Sequence, residues 1–222
     1  MAIRRLRGAR EAPLFASFCA DPAGETIVAG DGDVRLHRGW LARERADALL
    51  DVIRRETPWR QERRVMYDRT IDVPREQAWY GDHESAAGPL GPELTAVARE
   101  LEALAGVRFP YVLLNRYRNG ADSVAWHADR EGMGLSRPVI GSLTLGATRA
   151  FDLRSKSDRA RVISVDLDHG DLLVMAGATQ LNYEHRIRKD ARIAEERINL
   201  TFRERARIEQ EFDRALRKGS FR

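Results

Sequence analysis

The chain has 222 residues, a formal net charge of +4 and a single cysteine, Cys19. That length suits one well-buried core, one cysteine excludes an internal disulfide framework, and no apolar run reaches the ~20 residues of a membrane span. A soluble, cytoplasmic monomer with no membrane partner is expected, and the sequence pI of about 9.6 suits a polyanionic partner.

Residues 1–32 carry arginines at 4, 5, 7 and 10, then Pro13, Pro22 and several glycines, without sustained periodicity. They read as a basic arm followed by a loosely held lead-in. Beyond Trp40, the positions of Ala46, Leu49, Leu50 and Ile53 predict a helix with one apolar stripe, stopped at Thr57-Pro58 and packed on the outside of a sheet. Across 59–82, aromatic residues (Trp59, Tyr67, Trp79, Tyr80) interleave with arginines (Arg60, Arg63, Arg64, Arg69, Arg75). Aromatic faces stack bases and arginines hold phosphates, so this stretch reads as a nucleotide-recognition lid, against two strands with core aromatics and solvated charges. Pro92 opens a second helix carrying Leu94, Val97, Ala98, Leu101 and Leu104, and Gly106 closes it.

From Phe109 onward strands alternate with turns. Tyr111, Leu113, Asn115 and Tyr117 share a face of the first, which ends in an Asn119-Gly120 turn. Further strands are predicted at 139–145, 151–154, 162–165, 172–175 and 197–202. The last is a strict alternation: Ile198, Leu200 and Phe202 face a packed layer, while Arg197, Asn199, Thr201 and Arg203 share the opposite face. Ile208, Phe212, Ala215 and Leu216 then suggest a short C-terminal docking helix.

His127 and Asp129 stand two residues apart, so on an extended backbone their side chains leave from one face. His185 supplies a third candidate ligand. Two histidines and one carboxylate are the facial set of non-haem Fe(II) oxygenases, with the opposite side of the ion left open. His37, His83 and His169, in polar company or at a glycine turn, are left out of the metal site. If Arg197 and Arg203 point toward the same interior, their natural anion is a dicarboxylic acid.

The segments Asn115-x-Tyr117, Trp126-His127-x-Asp129-x-Glu131, Pro138-Val139-Ile140-x-Ser142-x-Thr144-Leu145-Gly146, His169-Gly170-Asp171-Leu172-Leu173-Val174-Met175 and Arg197-x-Asn199-Leu200-Thr201-Phe202-Arg203 resemble the AlkB family of Fe(II)/2-oxoglutarate dioxygenases. The likeness runs from about Val73 to Arg203, and Pro74-Arg75-Glu76-Gln77-Ala78-Trp79-Tyr80-Gly81-Asp82 resembles the substrate lid of the nucleic-acid-repairing members. It implies an α+β, mainly β fold: a double-stranded β-helix (jelly-roll) core over 109–203 with flanking N-terminal helices, in a single dioxygenase domain spanning 1–222 with 204–222 as tail. It also implies Fe(II) on His127, Asp129 and His185. 2-Oxoglutarate would lie on Leu113, Asn115, Tyr117, Arg197, Asn199 and Arg203.

The implied substrate is an N-alkylated base in DNA or RNA, single-stranded or flipped out, such as 1-methyladenine or 3-methylcytosine. Products would be succinate, CO2 and formaldehyde. Glu131, Tyr67, Arg75, Trp79 and Tyr80 are the expected substrate contacts, Glu131 because a carboxylate offers a cationic base both charge and an acceptor. Two alternatives stand beside this reading: the same chemistry on a protein, lipid or small molecule, and a binding module that keeps only the fold.

Overall fold

The computed structural model describes residues 3–6, 23–66, 69–83, 86–129, 135 and 138–204. Its first half contains β1 (Ile3–Leu6), β2 (Glu25–Val28), β3 (Asp33–His37), α1 (Arg43–Glu56), β4 (Arg63–Met66), β5 (Arg69–Asp72), β6 (Glu76–Gly81) and α2 (Pro92–Ala105). The second half is nearly all strand: β7 (Tyr111–Tyr117), β8 (Val124–His127), β9 (Ile140–Gly146), β10 (Arg149–Ser155), β11 (Val162–Leu167), β12 (Leu172–Ala176), the short α3 (Thr179–Asn182), β13 (Tyr183–Ile187) and β14 (Arg197–Arg203). Among the described residues, no helix is long and apolar enough to cross a membrane.

Two sheets make the core. The larger has the order β2-β3-β12-β9-β14-β7-β6, and the smaller β1-β11-β10-β13-β8. Ile140, Leu173 and Met175 from the first join Phe151, Leu153 and Val165 from the second in one buried cluster, so the sheets pack face to face as a jelly roll. The opposite face of the larger sheet is covered by helices. There Leu143, Leu145, Ile198, Leu200 and Phe202 meet Ala46, Leu49, Leu50 and Ile53 of α1 and Leu94, Val97, Ala98 and Leu101 of α2. Both helices end where the sequence predicts: α1 caps on an extended Thr57 before Pro58, and α2 runs from Pro92 to Gly106, which takes the left-handed conformation at φ 72°.

The described parts of the first 32 residues, 3–6 and 23–32, depart from the expected arm. Ile3–Leu6 pairs in parallel with β11, and Glu25–Val28 is the edge strand of the larger sheet, antiparallel to β3. Neither run is long enough to display a period, and their partners lie over a hundred residues away or across a bulge. β13 was also absent from the predicted strands, because Tyr183-Glu184-His185-Arg186-Ile187 places charges on its outer face and only three inward residues between breakers. The 59–82 stretch divides in two. β4 and β5 form a separate two-stranded sheet, while β6 joins the main sheet beside β7. The expected C-terminal helix lies outside the described residues.

The Asn119-Gly120 turn after β7 meets the loop before β14. Gly120 N–H donates to Ile193 O at 2.8 Å, and Asp190 N–H donates to Gly120 O at 2.9 Å. A Cβ on Gly120 would sit 1.7 Å from the Asp190 carbonyl oxygen, backbone that cannot step aside without breaking this pair. Gly120→Ala is therefore expected to destabilise the fold by about 1–3 kcal/mol or more, as overpacking does. Urea unfolding checks it, and an unchanged midpoint would contradict the contact.

Candidate metal centre and cavity

The smaller sheet brings the histidines together. β13 pairs with β8 so that His185 stands opposite His127, and Asp129 follows two residues after the end of β8. One ligand atom from each of the three residues lies within 4.8 Å of the others. His127 Nε2 is 3.7 Å from Asp129 Oδ1, and His185 Nε2 is 3.8 Å from Asp129 Oδ2. His127 Nδ1 lies 2.9 Å from the Ala125 carbonyl, which can only accept, so Nδ1 carries the proton and the Nε2 lone pair is left for an ion.

Charge fits the same purpose. Burial lowers His185 to about 4 against the opposing charge of Asp129, so the imidazole is neutral at physiological pH. Burial alone would push the Asp129 carboxyl up, but Arg203, the two histidines and Arg75 hold it below the usual carboxylate range. A neutral His185 imidazole, the His127 Nε2 and one ionised carboxylate, gathered at one point, are a donor set for a divalent transition metal.

The larger sheet supplies the opposite wall through register. β14 lies between β7 and β9, so its polar face builds cross-strand rows: Asn199 with Asn115 and Thr144, Thr201 with Leu113 and Ser142. β6 extends these rows with Gln77 beside Asn115 and Trp79 beside Leu113. Asn115 Oδ1 accepts from Arg75 Nε at 2.9 Å and from Gln77 Nε2 at 2.8 Å, which leaves its amide nitrogen as a donor. Arg203 reaches across to Asp129 Oδ1 at 3.0 Å. The cavity of about 840 Å³ is lined by both sheets, including the three candidate ligands, Asn115, Tyr117, Asn199 and Arg203.

Arg197 lies behind this wall. It is fully buried, and its Nη2 donates to Thr144 Oγ1 at 2.9 Å and Asn199 Oδ1 at 3.1 Å, while buried Nε and Nη1 meet no hydrogen-bond partner among the described residues. Burial lowers the guanidinium to about 10, Arg149 adding to the effect and Tyr117 opposing it, so it stays charged at neutral pH. Tyr117 is flanked by both guanidiniums, Arg149 at 5.6 Å and Arg197 at 5.4 Å from its ring centre.

Several expected residues take other places. Tyr80 points to the helix side of the sheet and packs against the apolar cluster there, because it follows Trp79 by one residue and must leave from the opposite face. Arg75 is turned into the cavity on Asn115, not out toward a phosphate. Tyr67 and Glu131 lie outside the described residues. His37 is buried on β3 and not a surface residue, while His83 lines the cavity, stacked on Trp79 at 3.8 Å with 2° between the planes. His169 stays at its turn and accepts from Gly146 N at 2.9 Å. Thr201 is legible from the β14 alternation, and Ser142 and Thr144 come opposite it and Asn199 through the strand register. Gln77, Gln180 and Arg149 carry no signal in the chain, since their contacts come from distant segments.

Comparison with known proteins places this architecture. Residues 33–203 match the model of the 2OG-Fe(II) oxygenase superfamily. Human alpha-ketoglutarate-dependent dioxygenase alkB homolog 3 is 36% identical over 190 residues, 78% of this chain and 66% of that protein, so the chain spans just under two thirds of that relative's length. The Arabidopsis thaliana DNA oxidative demethylase ALKBH2 is 30% identical over 221 residues, covering 82% of this chain and 69% of the relative. Among solved structures, OsALKBH1 shares the fold with a TM-score of 0.57 at 18% identity, covering 77% of this chain and 97% of its own. The chain thus belongs to the 2OG-Fe(II) oxygenase superfamily and, within it, to the AlkB-like dioxygenases.

Proposed function

We propose that this protein removes alkyl groups oxidatively from N-alkylated nucleobases in DNA or RNA, such as 1-methyladenine and 3-methylcytosine, using Fe(II), 2-oxoglutarate and O2. The observation that carries the reading is one cavity with a His-Asp-His cluster on one sheet and a buried, partly unpartnered guanidinium behind the other. A cation so placed calls for an anion, and a dicarboxylic acid held at the metal ligands by one end would offer Arg197 its other carboxylate. The similarity to relatives named as alkB homolog 3 and as DNA oxidative demethylase supports a nucleobase as substrate. So does a cavity within the ~300–1,000 Å³ of small-molecule sites, walled by Trp79, His83 and Arg75.

In this reading His127, Asp129 and His185 hold Fe(II), which when bound supplies O2 activation coupled to decarboxylation of 2-oxoglutarate. Arg197 takes the far carboxylate, with Tyr117 and the Asn115 amide beside it, and Asn199 and Leu113 complete that wall. Arg203 holds Asp129 ionised and oriented through the bond to Oδ1. Arg75 and Gln77 fix the Asn115 amide so that its nitrogen faces the cosubstrate. Trp79 with His83 offers an aromatic wall for the base, and Tyr67 and Glu131 remain proposed contacts to it. The substrate is met as a single strand or as a flipped base, since a base paired and stacked in a duplex cannot present its alkyl group to ligands that line a cavity.

Oligonucleotides carrying 1-methyladenine or 3-methylcytosine should yield formaldehyde and succinate in equal amounts when Fe(II), 2-oxoglutarate and O2 are supplied. Succinate without formaldehyde from every methylated strand, single or duplex, would refute the nucleobase assignment. Arg197→Ala should raise the 2-oxoglutarate KM steeply, a loss on the order of 3–5 kcal/mol for one partner of a buried pair, while metal affinity is largely kept. An unchanged KM would remove Arg197 from the cosubstrate site.

Neutral His185 also predicts an acid sensitivity. In the unfolded chain the imidazole takes up a proton near 6.5 but in the fold only at about 4, so the unfolded state binds more protons between these values. Metal-free protein should lose stability as pH falls from 6.5 toward 4, by on the order of 3 kcal/mol from this group. Urea midpoints across that range should drop less in His185→Asn, and parallel curves would contradict the assignment.

A further inference from the structure

Asp129 and His185 are carried by different elements, and protein contacts hold their spacing. The Asp129 backbone N–H donates to Gln180 Oε1 at 2.8 Å, and both residues are buried. Gln180 belongs to α3, which runs without a break into β13 and so into His185. Its Nε2 is 3.5 Å from Met175 Sδ, which fixes the direction of the amide. The end of α3 is tied down as well, by Lys156 Nζ donating to the carbonyls of Gln180 and Leu181 at 2.8 Å each.

The other flank of the ligand segment has its own restraint. Trp126, next to His127, lies between the guanidiniums of Arg154 and Arg186 at 4.2 and 4.3 Å from its ring. That clamp fixes β8, and Arg203 fixes the Asp129 carboxylate. What remains is the Asp129 backbone. A buried N–H must find an acceptor, and the described contacts supply one from Gln180 alone.

We propose that Gln180 is a positioning residue for the metal centre: its side-chain amide ties the Asp129 backbone to the α3–β13 unit that carries His185, and so sets the spacing of two ligands before an ion arrives. This rests on the reading of His127, Asp129 and His185 as metal ligands. Without the Gln180 oxygen, the Asp129 N–H would turn toward another acceptor and carry its carboxylate out of line with the two Nε2 atoms.

Gln180→Met keeps the length of the side chain and the contact with Met175 but offers no oxygen. Anaerobic titration with Co(II), without 2-oxoglutarate, should give a Kd raised about tenfold or more, the usual effect of losing a partner that orients a ligand. Metal-free Gln180→Met should melt within a few degrees of the parent. Hydrogen exchange reads the bond itself: the Asp129 amide should be protected in the parent and in Gln180→Glu, which keeps an oxygen, but not in Gln180→Met. A Co(II) affinity within about twofold of the parent's overturns the proposal. So does a weakened affinity that comes with a collapsed melting temperature or with an Asp129 amide still protected. If the parent itself does not bind Co(II), the metal-centre reading fails, and this proposal with it.

Discussion

Every residue of β14 from Arg197 to Arg203 is buried, and four of the seven are polar or charged. A strand in that position cannot leave its polar face unsatisfied, because each buried donor or acceptor without a partner costs about 1–3 kcal/mol and a buried charge costs more. Much of the site follows from meeting that demand. Asn199 Oδ1 takes Ser142 Oγ and Arg197 Nη2, its Nδ2 donates to Thr201 Oγ1, and Arg203 crosses the cavity to Asp129. The apolar face of the same strand meets α1 and α2, so one seven-residue alternation places the helices on one side and the chemistry on the other.

The cavity is assembled from two sheets with different tasks. The smaller one contributes ligands with lone pairs and negative charge, and the larger one contributes cations and amides. Arg197 and Arg203 of the larger sheet are both buried, and Asp129 is the carboxylate facing Arg203. Arg149 is satisfied by the carbonyls of Asn119, Asp122 and Arg188, which lock the loops at that end of the sheets, whereas Arg197 keeps two nitrogens without partners. The difference separates a structural cation from one suited to receive an anion.

What the sequence by itself determined was periodic or local. The 3.6-residue stripe of α1, the Pro92 and Gly106 limits of α2 and the two-residue alternation of β14 are written in neighbouring residues, and each was recovered in place. The His-x-Asp pair was visible for the same reason, since two residues on an extended backbone share a face whatever surrounds them. Only the tertiary structure decided which distant segments meet. It placed β1 against β11 and β13 against β8, turned Arg75 inward onto Asn115, and brought Gln180 to the Asp129 backbone. None of these contacts has a sequence period, because strand register and the approach of loops more than thirty residues apart depend on which surfaces are left to bury once the local elements have formed.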